Sequence, residues 1–254
     1  MLTAYIPYSI TLIDGNVHPI QDIFAFRNLF STLFVGKDFT TRYSIRSGDT
    51  PRSIAYYLYT SERYEWIIYC MNAISNPYYE WPLSEDDFYE MVESKYLNKK
   101  CLFLDMNSFK NNFVLGEVIT TDSGSATGIV DHWDRTLCRL TIINSVGTFQ
   151  VDDVIKSTSS SGVISRIVDR AEDAVHHFET PKGVKLDPYA GYLQAYLNNS
   201  DEVFVITNKQ YETIINDSKR SIIVLRPEFA KTAENLLISN INKLAMFEAE
   251  NLLK

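Results

Sequence analysis

Two stretches of the chain repeat one another. Phe113-x-x-Gly116-Glu117-Val118-Ile119, ending in Gly128-Ile129-Val130, recurs as Phe149-x-x-Asp152-Asp153-Val154-Ile155, ending in Gly162-Val163-Ile164, with a small loop deletion between the ends. The Val/Ile runs are bounded by Ser, Thr and Gly, which is the signature of short strands and turns. Between the copies, Leu137-Cys138-Arg139-Leu140-Thr141-Ile142-Ile143 alternates like a further strand. Two copies cannot make a solenoid, which needs three or more to bury its faces, so the repeat predicts a small closed or sandwich-like β-module. We place it at 108–170, inserted into a larger fold.

Residues 42–97 carry a different pattern. Arg42-Tyr43-Ser44-Ile45-Arg46 alternates as a strand, and Ser47-Gly48-Asp49-Thr50 forms a turn that leaves Asp49 or Thr50 as a helix N-cap, with Pro51 at or near the first helical position. Ile54, Ala55 and Leu58 give that helix its inward face. A second start signal at Thr60-Ser61 leads to Trp66, Ile67, Cys70, Met71 and Ile74 at helical spacing, stopped by Ser75-Asn76-Pro77. A third helix begins near Ser84, with Glu85, Asp86, Glu90 and Glu93 on its wet side.

Tyr43-x-Ile45-x-x-Gly48-Asp49-Thr50-x-x-x-Ile54-Ala55, followed by Trp66 and Asn72, resembles a LysM module. That resemblance implies a βααβ fold that commonly binds N-acetylglucosamine polymers through two loops. Here those loops are Gly48, Asp49, Thr50 and Pro51, and the stretch holding Asn72, Asn76 and Pro77. Pro51 stands where the LysM pattern has leucine. No closing strand follows the second helix. Instead Asn76-Pro77-Tyr78-Tyr79-Glu80-Trp81-Pro82 leads into the acidic helix.

With the upstream Pro19-Ile20-x-Asp22-Ile23-Phe24, this continuation resembles the LysM-containing baseplate wedge subunit of T-even-like contractile-tailed bacteriophages, the baseplate wedge protein 53 family, best over residues 19–97. The resemblance implies a structural role and no catalysis. Its partners would be other wedge proteins, including the sheath-initiator-type subunit and the core-bundle wedge subunits, together with adjacent wedges. The place would be the virion tail baseplate, assembled in the host cytoplasm. Ile20, Asp22, Ile23, Phe24, Tyr78, Tyr79 and Trp81 are the candidate partner-interface residues, aromatic anchors being what protein interfaces favour. A LysM-type peptidoglycan- or chitin-binding module is the alternative.

The fold class expected is therefore α+β: an N-terminal arm (1–41), a LysM-like βαα domain (42–97), the β-module (108–170), and a C-terminal α/β region (171–254). In the arm, the apolar run 20–30 is too dense for a solvated loop and must bury against its own chain or a neighbour. In the last region Glu202–Thr207 and Ser221–Leu225 read as strands flanking a helix over 208–216. A long helix then follows Arg226-Pro227, with Phe229, Ala233, Leu236, Leu237, Ile241, Leu244, Met246 and Phe247 on one stripe.

Composition narrows the function classes. A net charge of −8 over 254 residues offers no electrostatic footprint for nucleic acid. No apolar run is long enough for a membrane span, and the start lacks a signal-peptide pattern, so the chain is expected to remain in the cytosol where it is made. Cys70, Cys101 and Cys138 show neither CxxC nor a zinc framework and read as reduced, mostly buried thiols. His176-His177 with Glu179 is not expected to bind metal, because adjacent strand residues face opposite ways. Glu85-Asp86-Asp87 reads as a solvated helix face, and Ser159-Ser160-Ser161-Gly162 as a turn rather than a phosphate loop. No catalytic residue, metal or cofactor is expected.

Overall fold

The computed structural model describes residues 8–13, 16–21, 34, 36, 38–192, 195 and 202–239. The strands are β1 (Tyr8–Ile13), β2 (Asn16–Gln21), β3 (Thr40–Ser44), β4 (Lys100–Leu104), β5 (Val118–Thr121), β6 (Ala126–Asp134), β7 (Arg139–Gly147), β8 (Val154–Lys156), β9 (Ser161–Val168), β10 (Val175–Glu179), β11 (Phe204–Thr207) and β12 (Ser221–Leu225). The helices are α1 (Pro51–Tyr59), α2 (Glu65–Met71), α3 (Pro77–Glu80), α4 (Glu85–Tyr96), α5 (Pro188–Tyr192) and α6 (Asn208–Ser218), with α7 over 230–239. The fold is mixed α+β and divides into two compact units, one formed by Met1–Glu85 with Asn216–Lys254 and the other by Asp86–Ile215.

In the first unit the local sequence rules act as expected. Gly48 takes φ +84, letting the chain turn tightly after β3. Thr50 is the N-cap of α1 and forms a reciprocal capping box with Ser53, while Pro51 opens the helix. Thr60, in the left-handed conformation, ends α1 rather than starting the next helix. A 3-10 turn, Glu62–Tyr64, then leads into α2. Ile54, Ala55, Ile67 and Ile68 are essentially sealed from water, and Val224 and Leu225 of β12 complete the same core.

β12 pairs antiparallel with β3, from Ser221 opposite Ser44 to Leu225 opposite Thr40. The partner of β3 is therefore a strand supplied from far along the chain. The strand–helix–strand run of 202–225 is consequently not one unit of structure. β11 pairs with β10 and β12 with β3, in separate sheets. After β12, α7 buries Ala230, Ala233 and Leu237 against the core of its own unit. The rest of the apolar stripe, Ile241 to Phe247, lies outside the described residues.

The repeat forms a closed six-stranded barrel, in the order β4-β7-β6-β5-β8-β9. The two copies are equivalent bond for bond. Val118 pairs with Ile129 and Ile119 with Gly128, as Val154 pairs with Val163 and Ile155 with Gly162. Gly116 and Asp152 both take positive φ, and their amides donate to Val130 and Ile164 respectively, each at 2.8 Å. Ile119, Val130, Ile155 and Ile164 fill the interior with Leu102, Leu140 and Ile142.

β4 is the strand that alternation does not reveal. Leu102 and Leu104 face the barrel core while Cys101 and Phe103 join a second cluster with Val175 and Phe178, so both faces are apolar. Cys101 and Cys138 are buried and Cys70 is half-buried, and none of the three is in a disulfide.

Candidate functional site

The turn after β3 was the first candidate, and its polar groups are largely engaged from within. The Asp49 carboxylate accepts the Tyr43 hydroxyl at 3.0 Å and the Arg46 amide at 2.9 Å. Burial and this carboxylate together hold the Tyr43 phenol above its ordinary pKa. The Asp49 carbonyl accepts the Trp81 indole N–H at 2.9 Å. Thr50 donates its amide to Ser53 Oγ at 2.9 Å, and Ser53 returns its amide to Thr50 Oγ1 at 3.1 Å. Pro51 is buried. Gly48 and Thr50 remain exposed.

The second candidate loop divides into parts with different jobs. Asn72 turns to β12, where its side-chain amide acts as a substitute strand residue. Its Oδ1 accepts the Ile223 amide and its Nδ2 donates to the Ile223 carbonyl, both at 2.7 Å, and Nδ2 also reaches the Ile68 carbonyl at 2.9 Å. Asn76 instead caps α3, accepting the Tyr78 amide at 3.2 Å, with Pro77 at the first helical position. The Glu80 carboxylate closes the loop by accepting the Ser75 amide at 2.6 Å.

Trp81 is separated from its tyrosine neighbours. It packs against the core as well as bonding Asp49, whereas Tyr78 and Tyr79 are 90% and 76% exposed. The short turn that carries them is nevertheless fixed. Lys219 donates to the Tyr79 carbonyl at 2.6 Å. Leu83 donates its amide to Asn216 Oδ1 at 2.8 Å, and its carbonyl accepts from Asn216 Nδ2 at 3.3 Å and from Arg220 at 3.1 Å. Two exposed rings on an anchored backbone lose little freedom on docking, which favours recognition.

Sequence reasoning did not connect Asn216, Lys219 and Arg220 with this turn, although the looser family likeness runs through Lys219 and Arg220, because nothing local links them to a loop so distant in the chain. It also passed over Tyr56 and Tyr57, 63% and 74% exposed on α1. Their signal was present: they occupy helix positions between the inward Ala55 and Leu58. Of the arm candidates, Ile20 lies in β2, opposite Ser9 of β1. Asp22, Ile23 and Phe24 lie outside the described residues.

In the second unit, the premise that His176 and His177 face opposite ways is corrected by a bulge in β10 between Val175 and His177. The rings meet, Nδ1 to Nδ1 at 2.7 Å, and His177 Nε2 lies 2.7 Å from Glu179 Oε1. His176 also stacks on Tyr211 at 3.7 Å. Burial, with the charge of His177 and Arg139 nearby, pushes the His176 pKa down to about 4. Among the described residues no group of His, Cys, Asp and Glu is arranged to hold a metal ion. No helix among them is long and apolar enough to cross a membrane.

Residues 4–101 match the model of the family described as base plate wedge protein 53. The match covers less than half of the chain and includes β1, β2, β3 and α1 to α4, with Tyr78, Tyr79 and Trp81. No curated protein matches the chain.

Proposed function

We propose that this chain is a structural, non-enzymatic subunit of a phage tail baseplate wedge. The observation that carries the reading is the match of residues 4–101 to the baseplate wedge protein 53 family, which supports a structural role in the virion baseplate. On this reading the first unit is a LysM-like domain whose closing strand is β12, displaced from α2 by the residues of the second unit. It binds protein rather than glycan. Support comes from the consumption of Asp49, Thr50 and Asn72 in internal hydrogen bonds, which leaves the two loops few polar groups for sugar hydroxyls. Tyr78 and Tyr79, on their clamped turn, are the anchors for another wedge protein, in the manner of interface hot spots.

The partners would be the sheath-initiator-type and core-bundle wedge subunits, together with the neighbouring wedge. Contacts of standard size, about 1,600 Å² in total, repeated around a closed ring would hold each wedge on both sides.

The test is co-expression with the other wedge proteins and purification of the complex. The Tyr78→Ala/Tyr79→Ala double variant is expected to remain folded and to lose wedge binding at least tenfold. Normal assembly of the double variant would remove the tyrosine face from the proposal. Sedimentation of the wild-type chain with peptidoglycan or chitin, with no association with wedge proteins, would replace the reading with the glycan-binding one.

A further inference from the structure

Among the described residues the first unit contains two small sheets, and in each of them one edge is closed and no described strand pairs with the other. In the β3–β12 sheet the outer edge of β12 is closed by side chains. Asn72 takes both the amide and the carbonyl of Ile223, and the Tyr59 hydroxyl donates to the Leu225 carbonyl at 2.9 Å. The other edge is different. Ile45 donates to Arg220 and Arg226 to Phe39 across the ladder, so odd-numbered residues of β3 face β12 while Thr40, Arg42 and Ser44 direct their backbone groups outward. Arg42 and Ser44 are exposed, and no described strand pairs with this edge.

The hairpin mirrors this arrangement. Ile13 pairs with Asn16 across a two-residue connection, which makes 13–16, 11–18 and 9–20 the hydrogen-bonded pairs. Pro19, opposite Ile10, then falls at a position whose N–H would have pointed away from the hairpin. A proline there closes the outer edge of β2 to strand addition. The outer edge of β1, at Tyr8, Ile10 and Leu12, has no such block. A two-stranded hairpin alone is marginally stable in water and gains from a third strand.

We propose that β1 of one copy adds to the open edge of β3 in a second copy, giving a sheet in the order β12-β3-β1-β2 in which the last two strands come from the neighbour. Both outer edges of that sheet are closed, one by Asn72 and Tyr59 and the other by Pro19. The occupant is chosen by edge matching: within this chain, β1 is the strand of the hairpin whose outer edge is free to pair. The 18 residues between Gln21 and Thr40 reach roughly 60 Å when extended, enough to cross to another molecule. Within a single chain the two sheets are separate. The proposal stands independently of the baseplate reading.

Two measurements on the full chain test it. In sedimentation equilibrium, the wild-type protein is expected to self-associate. Ser44→Pro and Leu12→Pro, each removing an outward N–H without touching a ladder bond, are expected to weaken that association at least tenfold with the melting temperature unchanged. Separately, Ile10→Cys protein is mixed with Arg42→Cys protein and treated with a short bismaleimide, whose span tolerates a shift in register. A peptide map is expected to show residue 10 joined to residue 42, a link that can form only between molecules. A monomer at every concentration with no such link overturns the proposal. So does efficient linkage of 10 to 42 within one chain of the Ile10→Cys/Arg42→Cys double variant when the mixed singles give none.

Discussion

The barrel and the β3–β12 sheet are both antiparallel, yet they are assembled at opposite ranges of sequence. In the barrel, β5 meets β6 and β8 meets β9 across short turns, and the duplicated pattern writes the same hairpin twice. In the sheet, β3 waits for a strand near the other end of the chain, and the bonds that seal it, Tyr59 to Leu225 and Asn72 to Ile223, join residues 166 and 151 positions apart. Local duplication places the barrel's stability in an apolar interior shared by two equivalent halves. Distant closure places much of the sheet's definition in a few polar side chains that hold β12 in register. Long-range pairing also gains its contacts late, after the entropy of loop closure has been met.

The sharpest way to break the comparison is to remove one buried side chain from each copy of the barrel. Ile119 and Ile155 occupy equivalent positions and are wholly buried. Ile119→Ala and Ile155→Ala are each expected to destabilise by about 2–5 kcal/mol, the usual range for emptying a core position. Denaturant melts of the full chain measure it. Similar losses in the two variants would confirm that the halves are energetically equivalent; a large loss in one alone would make the repeat a matter of shape only.

The sheet is probed by Asn72→Ala, which leaves the amide and carbonyl of Ile223 without their partner. These groups lie at an exposed edge where water can take the place of the side chain, so the expected loss is the net worth of the bonds, about 0.5–1.5 kcal/mol. Hydrogen exchange at the Ile223 amide is expected to accelerate, with the barrel amides unchanged. Exchange unaltered at Ile223 would mean that the side-chain amide does not secure β12.

What could be read in advance follows the same division. The barrel hairpins were legible because alternation and turn residues are local signals. So was the start of α1, where Thr50, Pro51 and Ser53 lie within one turn. β4 was not, because burial of both its faces removes alternation. The pairing of β12 with β3 was not, because no local pattern names a strand's partner. Within the candidate site, Asn72 is read from sequence as a glycan-loop residue and Trp81 as an interface ring, while in the fold each bonds backbone distant in the chain, at Ile223 and Asp49. The tyrosines could be ranked only once their exposure was known. The bulge at His177 had no sequence mark at all.

That bulge gives a pH prediction confined to the second unit. The His176 pKa lies near 4 when folded and near 6.5 when unfolded, so between these values the unfolded chain binds a proton that the native chain refuses. The favourable contribution of neutral His176 is therefore complete above about pH 6.5 and is lost as pH falls toward 4. Because the ring is partly solvent-exposed, the effect is expected on the order of 1 kcal/mol after screening. His176→Gln should flatten the wild-type decline in melting temperature between pH 7 and 4.5. An unchanged slope in the variant would place the acid sensitivity on other groups.

The smallest stability effect is expected where the proposed binding effect is large, and that contrast separates an exposed ring from a structural one. Trp81→Phe keeps the packing but loses the indole bond to the Asp49 carbonyl, at an expected cost of about 1 kcal/mol. Tyr78→Ala and Tyr79→Ala remove side chains that lie almost wholly in water, and each should move stability by no more than about 0.5 kcal/mol. The backbone of their turn stays pinned by Lys219 and by Glu80, whose bonds do not involve the rings. Paired thermal melts of the three variants make the comparison. If the tyrosine variants melt as low as the tryptophan one, the rings carry folding energy, and their exposure is no argument for a docking face.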